Sequence, residues 1–264
     1  MIDLQKFSED CLSVRAQSPL VHNIINYVAM NTAANALLAI GASPLMSFCK
    51  EEMEEIVSIS SALVINIGCL DLNEIAGMRV AAATAHKIGK PWVIDPVGVG
   101  ASRIRTETAV ELIEKYHPTI IRGNASEIMC LAGEHIVSRG VDSSASSSDA
   151  VSAAKALAAG TGAVVSVSGA TDYITDGERV ETIKNGHPLM AKITTMGCMS
   201  SALTGAFAAV SSSPFDAALH TMAVMGVAGE LAAKHSRGTG SLMMNFIDEL
   251  SLFDGAVAGK LVRQ

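Results

Sequence analysis

Short, unbroken apolar runs alternate with longer stretches of helical periodicity through the first two thirds of the chain. PLMSF (44–48), ALVINIG (62–68), PWVID (91–95), PTIIRG (118–123) and AVVSVSG (163–169) each read as a buried strand, mostly entered after Gly, Pro or Ala and left through a polar or glycine-bearing turn. Continuous rather than alternating hydrophobicity belongs to parallel strands covered on both faces. Segments 24–40, 51–60, 71–88, 105–116 and 148–159 carry apolar residues at helical spacing and supply the crossovers. EEMEE (51–55) puts carboxylates in a first turn, where the helix dipole favours them, and reads as a solvated helix start rather than a metal site. TDYITDGERVETI (171–183) breaks the pattern with two β-rich runs around Asp-Gly, the signal of a hairpin. Residues 198–253 read as helices interrupted at GTGS (238–241). VDSSASSSDA (141–150) is a polar loop too short for a domain linker, and no repeat or composition shift marks a second domain. The pattern predicts one α/β domain over residues 1–264, with a central, mainly parallel sheet flanked by helices and a helical C-terminal portion.

Composition sharpens this picture. With 49% hydrophobic and 17% charged residues in 264, the chain is more apolar and less charged than an average soluble domain, which implies a well-covered interior or a surface hidden in an oligomer. Aromatics at 4% and scattered Lys and Arg, against a net charge of −7, exclude the stacking platforms and basic patches that grip nucleic acid. A small anionic ligand held by backbone amides and one or two arginines stays open. Cys11, Cys49, Cys69, Cys130 and Cys198 are widely spaced and include no C-x-x-C, so neither a disulfide framework nor a zinc site is expected, and a reducing compartment, the cytoplasm, is. The N-terminal MIDLQKFSEDCLSVR has no apolar core of a secretory signal.

Two long uncharged stretches, Ala16 to Cys49 and Ile193 to Phe215, have the length of a membrane span. The first is interrupted by Asn23, Asn26, Asn31, Asn35, Gly41 and Pro44, and the second is crowded with Ser, Thr and Gly. Segments that are uncharged yet polar read instead as buried around a ligand, and no membrane partner is expected.

In open parallel sheets ligands bind beyond the carboxyl ends of the strands. Those ends collect Met46, Gly68, Asp95, Arg122 with Asn124 and Glu127, and Ser168 with Gly169. DPVGVGAS (95–102) sets a carboxylate directly after an apolar strand, before a loop whose glycines let backbone approach a ligand, although such an Asp also caps turns. In IIRGNASEI (120–128), Asn124 and Glu127 have the spacing of a capping box, which does not explain an arginine at the same sheet end. Arginine is the preferred phosphate fork, and Asp and Glu with waters and substrate phosphates are the usual magnesium holders. No G-x-x-x-x-G-K-[ST], no complete G-x-G-x-x-G with an acidic ribose partner, no G-x-S-x-G and no H-x-x-x-H is present. KITTMGCMSSAL (192–203) reads as a helix start whose amides face an anion and lower the pKa of Cys198, making it a proton acceptor or a nucleophile; a small core cysteine is the alternative.

SPLVHNIINYVAMNTAANALLAIGASPLM (18–46), ALVINIG (62–68), IDPVGVGASRIRTE (94–107), IIRGNASEI (120–128), GVDS (140–143), NGHPLMAKIT (185–194) and GCMSSALTGAF (197–207) together resemble hydroxyethylthiazole kinase, of the ribokinase-like superfamily. The resemblance implies a ribokinase-like three-layer fold and transfer of the γ-phosphoryl group of ATP to the hydroxyl of 4-methyl-5-(2-hydroxyethyl)thiazole, in thiamine biosynthesis and salvage. It also implies a homotrimer with sites at subunit interfaces, which would account for the uncharged 16–49 stretch. Carried over, Met46, Asn26 and Thr195 would contact the thiazole, Arg122, Ser168 and Asn124 the nucleotide, and Asp95 with Glu127 the magnesium. Gly197 and Cys198 would form the catalytic anion hole, with Cys198 where most ribokinase-like enzymes place an aspartate base.

The chain departs from the family where T-G-T-G-C or T-G-A-G-C is usual and Thr194-Thr195-Met196-Gly197-Cys198 stands. Thr195 replaces a glycine at a position where an unusual φ and a close ligand are expected, and Met196 replaces a small residue. Ser168 stands where Thr is common and GTGS (238–241) where Gly-Pro-Gly-Ser is usual. These changes keep three alternatives open: a ligand-binding relative without transfer, a kinase for another hydroxymethyl heterocycle, and a structural α/β protein in which Asn124 and Glu127 only cap a helix.

Overall fold

Eight strands form one sheet in the computed structural model, which describes residues 1–133 and 150–264. The strands are β1 (Leu20–Ile24), β2 (Ser43–Met46), β3 (Ala62–Asn66), β4 (Trp92–Asp95), β5 (Ile120–Asn124), β6 (Val164–Ser168), β7 (Asp172–Thr175) and β8 (Val180–Ile183). Their order is β2-β1-β3-β4-β5-β6-β7-β8, with β1 to β6 parallel and β7 and β8 antiparallel at one edge. The hairpin expected around Asp176-Gly177 is the β7–β8 turn, and Gly177 takes φ +100 there. The serine cluster at 141–149, GVDS (140–143) and the first residues of the helix expected from 148 lie outside the described residues.

Alternation along each strand feeds two cores. Val21, Val64, Val93 and Ile120 point to one face and Leu63, Ile65, Trp92, Ile94 and Ile121 to the other. The first face is covered by α1 (Leu4–Gln17), α2 (Met30–Ile40), α8 (Met196–Ala208), α9 (Pro214–Lys234), α10 (Thr239–Ser251) and the short α11 (Gly255–Ala258). The second is covered by α3 (Met53–Ile59), α4 (Leu72–Lys87), α5 (Arg103–Tyr116), α6 (Ala125–Leu131) and α7 (Val151–Thr161). The result is the three-layer architecture expected of buried parallel strands. Among the described residues no helix is long and apolar enough to cross a membrane.

Three elements differ from the pattern reading. The helix expected from residue 24 begins at Met30, because Leu20–Ile24 is strand β1 and Asn26 accepts the Ala29 N–H at 3.0 Å to make a turn. The polar pair His22 and Asn23 disguised this strand, yet both are buried. Helix α1 was masked by its charges; Phe7, Cys11 and Val14, spaced at i, i+4 and i+7, bury its inner face.

The topology positions the site. Strand order reverses between β1, whose chain continues to β2 on one side, and β3, which starts the march to the other. The crevice at such a switch point is where open α/β sheets bind ligands. Helix α8 crosses directly beneath it. A Cβ on Gly205 would lie 2.5 Å from Val64 Cγ2, so only glycine lets α8 press this closely on the sheet and bring its first turn to the ends of β3 and β4.

Candidate active site

Register brings the strand-end side chains side by side. Asn66 pairs with Asp95 across β3 and β4, and Asn124 with Ser168 across β5 and β6. The Asn66 amide donates to Asp95 Oδ2 at 2.8 Å and to Cys198 Sγ at 3.3 Å. Its Oδ1 accepts from Asn26 Nδ2 at 2.9 Å and from the Gly68 N–H at 3.0 Å. Asn26 Nδ2 also donates to Cys198 Sγ at 3.4 Å. One helical turn along α8, Ser201 Oγ donates to Asp95 Oδ2 at 2.7 Å. Thus Asp95 and Cys198 are held on either side of one asparagine. Asn66 and Ser201 escaped the sequence reading, although a lone Asn at the end of ALVINIG was a signal that its amide had a use.

Arg122 faces the same centre. Its Nη1 lies 4.0 Å from Asp95 Oδ2 and its Nη2 donates to Ser168 Oγ at 2.7 Å. A Cβ on residue 197 would come 2.8 Å from Arg122 Nη1, so Gly197 lets the first turn of α8 lie over the guanidinium. Glu127 accepts the Gly98 N–H at 2.9 Å and the Asn124 N–H at 2.8 Å, and Asn124 Oδ1 accepts the Glu127 N–H at 3.0 Å. The capping box is therefore real, and it ties the DPVGVG loop to the start of α6. Arg105, unforeseen, fastens the adjoining loops by donating to the carbonyls of Ile67, Val97 and Gly68 at 2.7, 2.8 and 2.9 Å.

Electrostatics follows from burial. Asp95 is pushed above the usual carboxylate range by desolvation, against the pull of Arg122, Ser201 and Asn66. Burial, then the neighbouring Asp95 charge, raise Glu127 to about 7, and burial raises Asp172 to about 7 against its bond from the Gly169 N–H. Cys198 is pushed up to about 11, first by desolvation and then by Asp95, with Asn26, Asn66 and Arg122 opposing. The expectation of a lowered Cys198 pKa is thereby corrected: α8 does start at Met196, but burial beside an acid outweighs the helix terminus, and the thiol keeps its proton at neutral pH.

The remaining positions are placed as follows. Met46 ends β2, half-buried, opposite Asn23. Met196 is buried in the core that includes Met199 and Leu203. Thr195 caps α8 in the left-handed conformation at φ 75, ψ −7, the unusual backbone expected at a glycine position. Among the described residues no group of three or more His, Cys, Asp or Glu side chains forms a metal cage. Asp95 and Glu127 supply two carboxylates, and Asp95 Oδ1 is buried with no hydrogen-bond partner among the described residues. Such a set fits Mg²⁺, which takes one or two protein carboxylates and completes its shell with water and phosphate oxygens.

A family model described as the hydroxyethylthiazole kinase family matches residues 12–255. The hydroxyethylthiazole kinase of Brachyspira hyodysenteriae is 51% identical over 251 residues, covering 95% of each chain. The solved structure of the hydroxyethylthiazole kinase from Pyrococcus horikoshii superposes with a TM-score of 0.87 at 38% identity, covering 95% of this chain and 94% of that one. A ribokinase-like superfamily protein from Enterococcus faecalis shares the fold, with a TM-score of 0.66 at 14% identity over 95% of this chain and 93% of that one.

Proposed function

The chain belongs to the hydroxyethylthiazole kinase family, and from that premise we propose that it transfers the γ-phosphoryl group of ATP to the hydroxyl of 4-methyl-5-(2-hydroxyethyl)thiazole, in thiamine biosynthesis and salvage. The observation that carries this reading is the meeting of Asp95, Arg122 and the first turn of α8 at the carboxyl ends of β4 and β5, beside the switch point of the sheet. Phosphoryl transfer depends on positioning and charge neutralisation more than on covalent help from the protein. Arg122, Ser168 and Asn124 hold the nucleotide end, and the guanidinium is the phosphate fork. Amides of Gly197 and Cys198, opening α8, face the charge that develops on the transferred group. Asp95 and Glu127 would hold Mg²⁺, which when bound neutralises phosphate charge. Met46, Asn26 and Thr195 contact the thiazole. The whole chain, 1–264, acts as one kinase domain in the cytoplasm. A neighbouring subunit of a homotrimer covers the exposed Tyr27, Val28 and Phe48 beside the Asn26 turn.

Cys198 occupies the position of the base while carrying its proton, so it accepts the proton of the substrate hydroxyl poorly and the enzyme is a modest one. General-base help is worth about 10²–10⁴-fold. In Cys198→Asp, the N–H groups of Asn26 and Asn66 remain aimed at residue 198 and would hold a carboxylate there. Turnover of that variant is expected to match or exceed the wild type; complete loss with folding intact would count against the base position. The function itself is tested by ADP release with ATP and Mg²⁺, with and without the thiazole alcohol. Thiazole-dependent release supports the kinase; calorimetric binding without release supports a non-catalytic relative.

A further inference from the structure

We propose that Thr32, on α2, is a positioning residue for the acceptor end of this site: its hydroxyl grips that of Thr195 and holds the start of α8 in the left-handed conformation. The inference rests on the reading of this end of the sheet as a phosphoryl-transfer site. Among the described residues three non-glycine positions have positive φ: Ser18, His117 and Thr195. Ser18 and His117 close the C-termini of α1 and α5, where a left-handed residue gives its N–H back to the helix, to Val14 O and Ile113 O. Thr195 instead begins a helix, makes no side-chain cap bond to it, and is β-branched, the side-chain type least suited to positive φ. Helix α8 does not account for that conformation, so another element must hold it.

The holder is across the crevice. Thr32 Oγ1 lies 2.9 Å from Thr195 Oγ1 and 3.0 Å from the Ala29 carbonyl. A threonine hydroxyl has one hydrogen, and a carbonyl can only accept. Both contacts are satisfied together when Thr32 donates to Ala29 O and Thr195 donates to Thr32. The chain Thr195, Thr32, Ala29 then ends in the turn built on Asn26, whose Oδ1 accepts the Ala29 N–H and whose Nδ2 reaches Cys198. The turn after β1 and the first turn of α8 are thus joined twice, through Asn26 to Cys198 and through Thr32 to Thr195. Release of the second tie lets residue 195 relax from φ 75 and carries the amides of Gly197 and Cys198 with it. Positioning errors of this kind lower the chemical step more than substrate binding.

The test is a cycle of Thr32→Val, Thr195→Gly and the double variant, with Thr32→Ser as rescue. Val keeps the shape and removes the hydroxyl, whereas Gly removes both the grip and the need for it. Thr32→Val is expected to lower kcat about tenfold, with the ATP Michaelis constant within about twofold of wild type. Thr32→Ser should recover kcat to within about twofold, and Thr32→Val in the Thr195→Gly background should change it by less than about twofold. The melting temperature, read on the same four proteins, should show the same non-additivity. An equal effect of Thr32→Val in both backgrounds, or no rescue by Ser, overturns the proposal. Because the melting cycle needs no substrate, it decides on the grip even if the wild type releases no ADP with thiazole, an outcome that would sink the kinase reading instead. Non-additive melting with additive kinetics in an active wild type overturns the positioning role.

Discussion

Replacing Asp95 by Asn should lower thiazole-dependent turnover by about 10²–10³-fold and shift the stability difference from the wild type in the variant's favour as pH rises. The two effects share one cause. Asp95 is 1% exposed, and burial holds its carboxyl above the ordinary range even with Arg122, Asn66 and Ser201 drawing it down. For an acid raised in the folded state, the favourable contribution is present below the unfolded pKa and is lost as pH rises through the folded one. As pH rises the folded wild type therefore loses a contribution to stability, and an asparagine, which does not titrate, has no such loss. Asparagine keeps one oxygen for the bonds from Asn66 Nδ2 and Ser201 Oγ, and puts its amide where Oδ1 has no hydrogen-bond partner among the described residues. The proposed phosphoryl site, however, loses its central anion. Steady-state ADP release, and melting curves taken from about pH 4 upward, check both halves, the variant gaining on the wild type as pH rises. Wild-type turnover, or a stability difference that does not change with pH, would defeat the argument.

What the chain disclosed in one dimension was set by how far each signal reaches. Asp95, Arg122 and Ser168 were legible because unbroken apolar runs deliver them to one sheet end, and the register of parallel strands does the rest. Strand β1 was not, because His22 and Asn23 interrupt its apolar run. They are tolerated there since His22 Nε2 bonds the Ser47 carbonyl at 3.0 Å and Asn23 Nδ2 donates to Val21 O at 2.9 Å. The state of Cys198 was misjudged for the same reason of range. A helix start is a local feature, whereas burial and the Asp95 charge come from a strand more than a hundred positions away. Thr195 announced an unusual φ by standing at a glycine position, but nothing in the sequence near it names Thr32 as its partner.

Arg122 carries the heaviest electrostatic duty, and Arg122→Met should expose it. Arg122 is 7% exposed, and its positive charge opposes the upward shift of Asp95, Glu127 and Asp172 alike. Removing one partner of a buried ion pair costs about 3–5 kcal/mol, because the charge left behind has neither water nor counter-ion. Here three acids are left, and each rises further. Their contribution to stability is intact below the unfolded carboxylate range near pH 4 and is lost as pH climbs through folded values that, in the wild type, are about 7 for Glu127 and Asp172. Denaturant unfolding should therefore find Arg122→Met destabilised by about 3–5 kcal/mol at pH 8 and by clearly less at about pH 5.5. A loss equal at the two pH values would refute this, since a packing defect has no such dependence. Arg122→Lys separates the two duties of the residue. An ammonium restores most of the stability at pH 8, but it lacks the planar fork that meets a phosphate and donates to Ser168 Oγ. The lysine variant should accordingly melt close to the wild type while its Michaelis constant for ATP stays raised by about tenfold or more, because a lost charge-assisted bond is worth roughly 1.5–3 kcal/mol.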